Sequence, residues 1–221
     1  MTFEYRPMPD LDRSLQERLG QYPRVPDITL DTLRAVARAI ALGLMRVFYH
    51  LEVTGPIPDG ERIALVANHS SHLDTLAVLA SLPRRHHSRI ACLAARDYFF
   101  ERLPRALAAP LFAMAVSFDR TRYTELRRWS RLLAAQERGW LLVFPSGSRR
   151  RAEAHDAILF VLAHSGWTIV PVAIEGTRAA WPVGGRPHPF RTIGVRYGEV
   201  PRDVPTKDLR SWLMSFWAAG A

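Results

Sequence analysis

A chain of 221 residues with 48% hydrophobic and 23% charged content holds enough apolar material for one packed α/β domain, and no Pro/Gly/Ser-rich linker divides it. The formal net charge of +9 at pH 7 calls for an anionic partner, but zinc-finger spacing, a recognition-helix pattern and an aromatic RNP-like strand are all missing, so nucleic acid is not expected as that partner. The single cysteine, Cys92, excludes an intrachain disulfide and fits a reducing cytoplasm.

Met1 to Arg6 carries no basic region leading into an apolar core and a small-residue cleavage site, so no secretory signal is expected. Pro7, Pro9, Pro23 and Pro26 interrupt the first 27 residues, which read as an irregular arm over the domain. From Asp27 a helical period sets in. Leu33, Val36, Ala37, Ile40, Leu44, Val47, Phe48 and Leu51 fall on one stripe, with Arg34, Arg38 and Arg46 on the opposite side. Two readings fit this amphipathic helix: it lies in a membrane interface with its arginines toward headgroups, or it packs its stripe on the core. The apolar stretch from Ala39 to Met45 is closed off by Arg38 and Arg46, far short of the roughly 20 residues that cross a bilayer.

After the turn cluster Gly55 to Gly60, apolar runs alternate with helical patterns. Strands are predicted at 62–67, 90–95, 115–119, 140–144, 168–174 and 193–197. Helices are predicted at 72–82, 98–109, 124–138, 154–165 and 207–218. The alternation points to a single α/β domain with a largely parallel, mixed sheet flanked by helices. Residues 1–55 form the arm and amphipathic helix, and 56–221 the α/β domain. In the last helix, Trp212, Phe216 and Trp217 read as packing on the domain, with an interfacial anchor as the alternative.

The run Val66-Ala67-Asn68-His69-Ser70-Ser71-His72-Leu73-Asp74 carries the chemistry. A buried strand ends on a histidine, and an aspartate follows five positions on, at the start of a helix. Such a turn is where an open α/β sheet exposes its working groups, and the pair suits a general base with its orienting acid. A metal site from His69, His72 and Asp74 lacks a clear fourth ligand, so no metal is expected. His72 reads instead as a helix cap or a solvent-facing residue, and His86-His87 as a polar loop.

Three more strand ends carry polar tips. Phe144-Pro145-Ser146-Gly147-Ser148-Arg149-Arg150-Arg151 is a small-residue turn ending in arginines, suited to holding a phosphate through backbone N–H groups and guanidinium forks. Val116-Ser117-Phe118-Asp119-Arg120 and Val170-Pro171-Val172-Ala173-Ile174-Glu175-Gly176-Thr177 are the others. Ser146 is not a hydrolase nucleophile on this pattern, because the first glycine of Gly-x-Ser-x-Gly is absent.

In these four ordered blocks the chain resembles the glycerolipid acyltransferases of the lysophosphatidate acyltransferase type. Asn68, His69 and Asp74 match that family's Asn-His-x-x-x-x-Asp block, and Asp119-Arg120 its Asp-Arg block. Phe144 to Arg150 aligns with Phe-Pro-Glu-Gly-Thr-Arg-Ser, and Val170-Pro171-Val172 with Val-Pro-Val. Ser146 stands where the family usually has glutamate, which loosens the identity of the acyl acceptor; some soluble glycerol-3-phosphate acyltransferases carry a Ser-Gly-Gly-Arg version of this block.

The resemblance implies an enzyme that moves a fatty acyl group from an acyl thioester donor to a hydroxyl of a phosphorylated glycerolipid acceptor in phospholipid biosynthesis. His69 would be the base and Asp74 its partner. Arg149 and Arg120 would clamp the acceptor phosphate, with Ser146, Gly147, Ser148, Asn68 and Pro171 completing the substrate-binding set. Backbone N–H groups beside His69 are the expected oxyanion donors. Acyl-CoA or acyl carrier protein would serve as co-substrate with no further cofactor. An anionic membrane surface is the expected partner, with the protein peripheral on the inner face of the membrane in the cytoplasm. A non-catalytic lipid-binding protein of the same fold and an O-acyltransferase for unphosphorylated alcohols are the alternatives.

Overall fold

The computed structural model describes residues 28–95, 115–118, 123–145, 156–182 and 184–219. In chain order these form helix α1 (Ile28–Phe48), strands β1 (Tyr49–Thr54) and β2 (Arg62–Ala67), helix α2 (Asp74–Ser81), a 3-10 turn at Arg84–His86, and strands β3 (Ile90–Ala95) and β4 (Ala115–Phe118). Helix α3 (Tyr123–Ala135), strand β5 (Gly139–Val143), helix α4 (Asp156–His164), strand β6 (Thr168–Glu175), helix α5 (Thr177–Ala180), strand β7 (Arg191–Tyr197) and helix α6 (Leu209–Ala218) follow. The predicted helix at 98–109 lies outside the described residues.

The described strands build one seven-stranded sheet in the order β1-β7-β6-β2-β5-β3-β4. All neighbours pair parallel except β6 and β7. The mixed, mostly parallel α/β sheet expected from the alternation is the one observed. β2 sits near the centre between β5 and β6, buried over Ile63 to Ala67, as an apolar run without alternation requires in a sheet covered on both faces.

Two apolar cores cover the two faces. On one, α1 and α2 contribute Leu42, Met45, Ala77, Val78 and Leu79 against Leu65, Val172 and Ile193. On the other, α3, α4 and α6 contribute Trp129, Leu133, Leu162, Leu213 and Trp217 against Val66, Leu141 and Ala173. The C-terminal aromatics therefore pack on the domain: Trp212 stacks on Phe216 at 5.6 Å, and the Arg196 guanidinium lies 4.2 Å from the Phe216 ring.

The sequence reading differs from the fold in three places. The stripe read as helical through Leu51 ends at Phe48, and Tyr49–Thr54 becomes an edge strand paired with β7, so the sheet begins ahead of the boundary read at residue 56. Strand pairing wins there because Tyr49, Val53 and Thr54 suit an extended, half-covered surface.

The second difference concerns α1, which packs through its arginine side. Arg34 and Arg38 are buried with Leu42 and Met45, and Arg38 donates to the His87 carbonyl, so these two arginines are not headgroup contacts. The stripe of Leu33, Val36, Ile40, Leu44, Val47 and Phe48 faces outward instead. Third, His86 and His87 do not form a polar loop. Both are buried, His86 stacked on Trp140 with ring centroids 4.1 Å apart.

Candidate active site

The carboxyl ends of β2, β5 and β6 lie side by side because these strands are parallel neighbours. The residues that follow them, Asn68-His69, Phe144-Pro145 and Gly176-Thr177, therefore share one edge of the sheet. Chain connections leave β2 toward β3 on one side, while β5 connects through α4 to β6 on the other. A crevice at such a reversal is the usual place for a ligand in an open α/β sheet.

Asp74, the first residue of α2, folds back over the turn that precedes it. Its Oδ2 accepts from Ser70 N–H at 2.6 Å, from Ser71 N–H at 2.8 Å and from His69 Nδ1 at 2.8 Å. Oδ1 meets no hydrogen-bond donor among the described residues. The carboxylate is wholly shielded from solvent, and three donors on one oxygen offset the cost of burying its charge.

The same contacts fix the histidine. Because Nδ1–H donates to the carboxylate, Nε2 is the nitrogen left to accept a proton from a substrate. The Phe144 ring stacks on the imidazole with centroids 4.3 Å apart and planes 28° from parallel, so the ring is held on its face as well as its edge.

Asn68 has a different task from the substrate contact expected of it. Its Nδ2 donates to the Ile174 carbonyl at 2.8 Å, and its Oδ1 accepts from the Ile174 N–H at 2.7 Å. These bonds clamp the end of β2 to the end of β6. Pro171 is buried within β6 opposite Val66, with its ring toward Gly198, and so belongs to the sheet rather than to its edge. Arg120, Ser146, Gly147, Ser148 and Arg149 lie outside the described residues.

The turn after β6, read from the sequence as a polar strand end, gives Gly176 and Thr177 roles that motif spacing did not assign. Gly176 has φ +74°, and a Cβ there would stand 2.3 Å from the Thr192 carbonyl oxygen, so only glycine fits. It swings Thr177 inward, where Oγ1 lies 3.1 Å from Ser70 Oγ. Ser71 Oγ donates to the Trp181 carbonyl at 2.7 Å. The His69 turn and α5 are thus stitched together by side chains from both, pairings between residues more than a hundred positions apart that no local pattern reveals. His72 is exposed, with its ring 5.7 Å from Trp181.

One expectation for the chemistry is corrected. Of the backbone N–H groups beside His69, expected as oxyanion donors, those of Ser70 and Ser71 are already committed to Asp74.

With this geometry in view, comparison with known proteins gives two findings. A family model described as Acyltransferase matches residues 50–175, from within β1 to the end of β6, a span that includes Asn68, His69, Asp74 and Phe144. The fold is similar to that of the 1-acyl-sn-glycerophosphate (LPA) acyltransferase, PlsC, from Thermotoga maritima, with a TM-score of 0.62 and 20% sequence identity, covering 86% of this chain and 77% of that one.

Proposed function

Since the chain belongs to the acyltransferase family, we propose that it moves a fatty acyl group from a thioester donor to the hydroxyl of a phosphorylated glycerolipid acceptor, working in phospholipid biosynthesis at a membrane surface. The observation that carries this reading is the buried Asp74 carboxylate on His69 Nδ1, which leaves Nε2 as the base.

An acceptor hydroxyl is a weak nucleophile until a positioned base takes its proton. His69 Nε2 removes that proton as the oxygen forms a bond to the thioester carbonyl carbon. Asp74 stabilises the resulting imidazolium and holds its tautomer. The carbonyl π pair moves to oxygen, giving a tetrahedral oxyanion. When the carbonyl re-forms, the C–S bond breaks, and the thiolate takes the proton back from Nε2 to leave as CoA or carrier-protein thiol. No covalent enzyme intermediate is needed.

With the Ser70 and Ser71 N–H groups committed to Asp74, we assign the oxyanion, among the described residues, to the Ser70 hydroxyl. If Thr177 Oγ1–H donates to Ser70 Oγ, the Ser70 O–H stays free for that oxygen. Arg149, with Arg120, is assigned to the acceptor phosphate, where a planar guanidinium gives bidentate contact.

A substrate with long acyl chains is drawn from a bilayer, and the outward apolar stripe of α1 on a chain of net charge +9 suits peripheral binding to an anionic surface. No helix among the described residues is long and apolar enough to cross a membrane.

Thiol release from acyl-CoA and from acyl carrier protein, offered with glycerol 3-phosphate, lysophosphatidate and an unphosphorylated long-chain alcohol, tests the reading. Release should require a phosphorylated acceptor. Arg149→Ala should then lose about 10- to 100-fold in kcat/KM on that acceptor, the worth of charge-assisted phosphate bonds, and much less on the alcohol. Release with the alcohol alone would replace the phosphorylated acceptor. No release from any combination would leave lipid binding without catalysis.

A further inference from the structure

Phe190 is the only non-glycine residue at positive φ among the described residues, at 61°, and its side chain is 78% exposed, more than any other large apolar residue described. A bulky residue in the left-handed region is disfavoured, and a phenyl ring in water gains nothing from folding. Both costs fall on one residue. Strain of this kind points to a use for the conformation it maintains.

The sheet's topology shows where that use lies. β7 runs antiparallel to β6, so its first residue, Arg191, sits at the edge of the sheet where β6 ends. β1 runs parallel to β7 with Tyr49 opposite Arg191, so the end of α1 reaches the same edge. There the Phe190 N–H donates to the Phe48 carbonyl, and the two rings lie 6.3 Å apart. Phe190 thus extends the outward stripe of α1 onto the edge that holds His69.

The loop bearing Phe190 is also tied to the catalytic turn. His188 N–H donates to the Ala180 carbonyl at 2.7 Å, and Trp181 Nε1–H to the Gly185 carbonyl at 3.2 Å. The Trp181 carbonyl accepts from Ser71, inside the His69 to Asp74 turn. Along the loop that leads to Phe190 the charge has one sign: Arg186 and Arg191 are exposed, and no acidic residue occurs in the sequence between Trp181 and Arg191.

We propose that the loop from Gly184 to Phe190 is a second membrane contact, with the Phe190 ring inserted among acyl chains and Arg186 and Arg191 against anionic headgroups, so that the bilayer surface meets the molecule at the catalytic edge. An anionic bilayer is the occupant because an apolar ring on a loop whose charged residues are all cations is complementary to headgroups over acyl chains. The inference rests on the peripheral-membrane reading above.

Phe190→Cys in the full chain, labelled with the environment-sensitive fluorophore NBD, tests it. The native Cys92 is buried and its thiol is pushed up to about 12 by that burial, so labelling falls on position 190. On adding vesicles of phosphatidylglycerol and phosphatidylcholine, the label should shift to the blue and brighten, and spin labels on the acyl chains should quench it. Phe190→Asn removes the ring while suiting the left-handed backbone. It should keep the parent melting temperature, weaken vesicle partitioning about tenfold or more, and leave turnover of a short-chain, water-soluble acceptor unchanged.

If the protein pellets with vesicles while the label stays in water, the loop is not inserted, yet membrane binding through α1 stands. If the protein does not pellet, the membrane reading falls and the inference with it. A blue-shifted label before vesicles are added overturns the inference in favour of coverage by residues 1–27, or by a second copy where the shift depends on protein concentration.

Discussion

His69 Nδ1 and Asp74 Oδ2 lie 2.8 Å apart, and that one carboxylate oxygen also takes the N–H groups of Ser70 and Ser71. The aspartate therefore builds the turn as well as orienting the base, and its substitutions should separate the two tasks. His69→Ala should lower kcat by about 10²- to 10⁴-fold with an unchanged fold. In Asp74→Asn, the carbonyl oxygen can still accept from both backbone N–H groups and from Nδ1–H, so tautomer and turn survive while the negative charge is lost. A fall in kcat of about 10² is expected, smaller than the roughly 10⁴ seen where a triad histidine is left in the wrong tautomer. Asp74→Ala strands the buried N–H of Ser71 and the partly buried N–H of Ser70 and should cost about 1–3 kcal/mol in denaturant unfolding. Parent-level turnover by His69→Ala would remove hydroxyl activation from this site.

Ser70 offers a sharper test of the oxyanion, because its backbone and its hydroxyl have separate partners. Ser70→Ala keeps the N–H bond to Asp74 and deletes only the hydroxyl beside Thr177. Its kcat should fall by about 10- to 100-fold with KM for both substrates unmoved. Thr177→Val should have a smaller effect, since it removes the donor that orients Ser70 rather than the group that meets the oxyanion. A Ser70→Ala enzyme with unchanged kcat would assign the oxyanion to another donor.

Asn68 joins the ends of β2 and β6 through both atoms of its amide. A carboxylate in its place could accept from the Ile174 N–H but could not donate to the carbonyl. Asn68→Asp and Asn68→Ala should each lower stability by about 1–3 kcal/mol, measured by urea unfolding. They should also lower kcat more than they change the acceptor KM, because the clamp sets the position of His69 and does not touch substrate. A rise in acceptor KM without loss of stability would return Asn68 to the substrate-binding set.

Much of this site is legible in the sequence where local pattern and tertiary need agree. Arg62 to Ala67 reads as a buried strand because nothing in it alternates, and the helical period after Leu73 places Asp74 at a helix start, where a carboxylate can meet free N–H groups. Local pattern misleads where distant partners decide. Tyr49 to Thr54 continues the helical stripe through Leu51, yet pairing with β7 draws it into the sheet. On α1 the period shows two faces but not which one is inward; Arg38 turns in because the His87 carbonyl awaits it there. The roles of Thr177 and Trp181 depend on contacts across more than a hundred residues and have no signature in spacing.

His86 and His87 give the fold an acid limit. His86 is buried on Trp140, and neither ring nitrogen has a hydrogen-bond partner among the described residues. Its burial, and then the positive charge of Arg85, hold its pKa below the ordinary 6.5, against a smaller opposing pull from Asp59. Burial lowers His87 as well, although its Nε2 bonds the Leu82 carbonyl at 3.1 Å. Folded, both rings stay neutral to lower pH than the unfolded chain allows, so the unfolded state binds more protons as acid is added. The stability that this neutrality supports is complete above about pH 6.5 and is lost as pH falls through the folded values. The melting temperature should therefore drop between pH 7.5 and pH 5, above the range where most carboxylates titrate. His86→Phe keeps a ring against Trp140 and cannot take up a proton in either state. Its melting temperature should match or exceed the parent's at pH 7.5 and fall less steeply toward pH 5. A parent curve flat over that interval, or a Phe variant that falls just as steeply, would clear His86 of the acid limit.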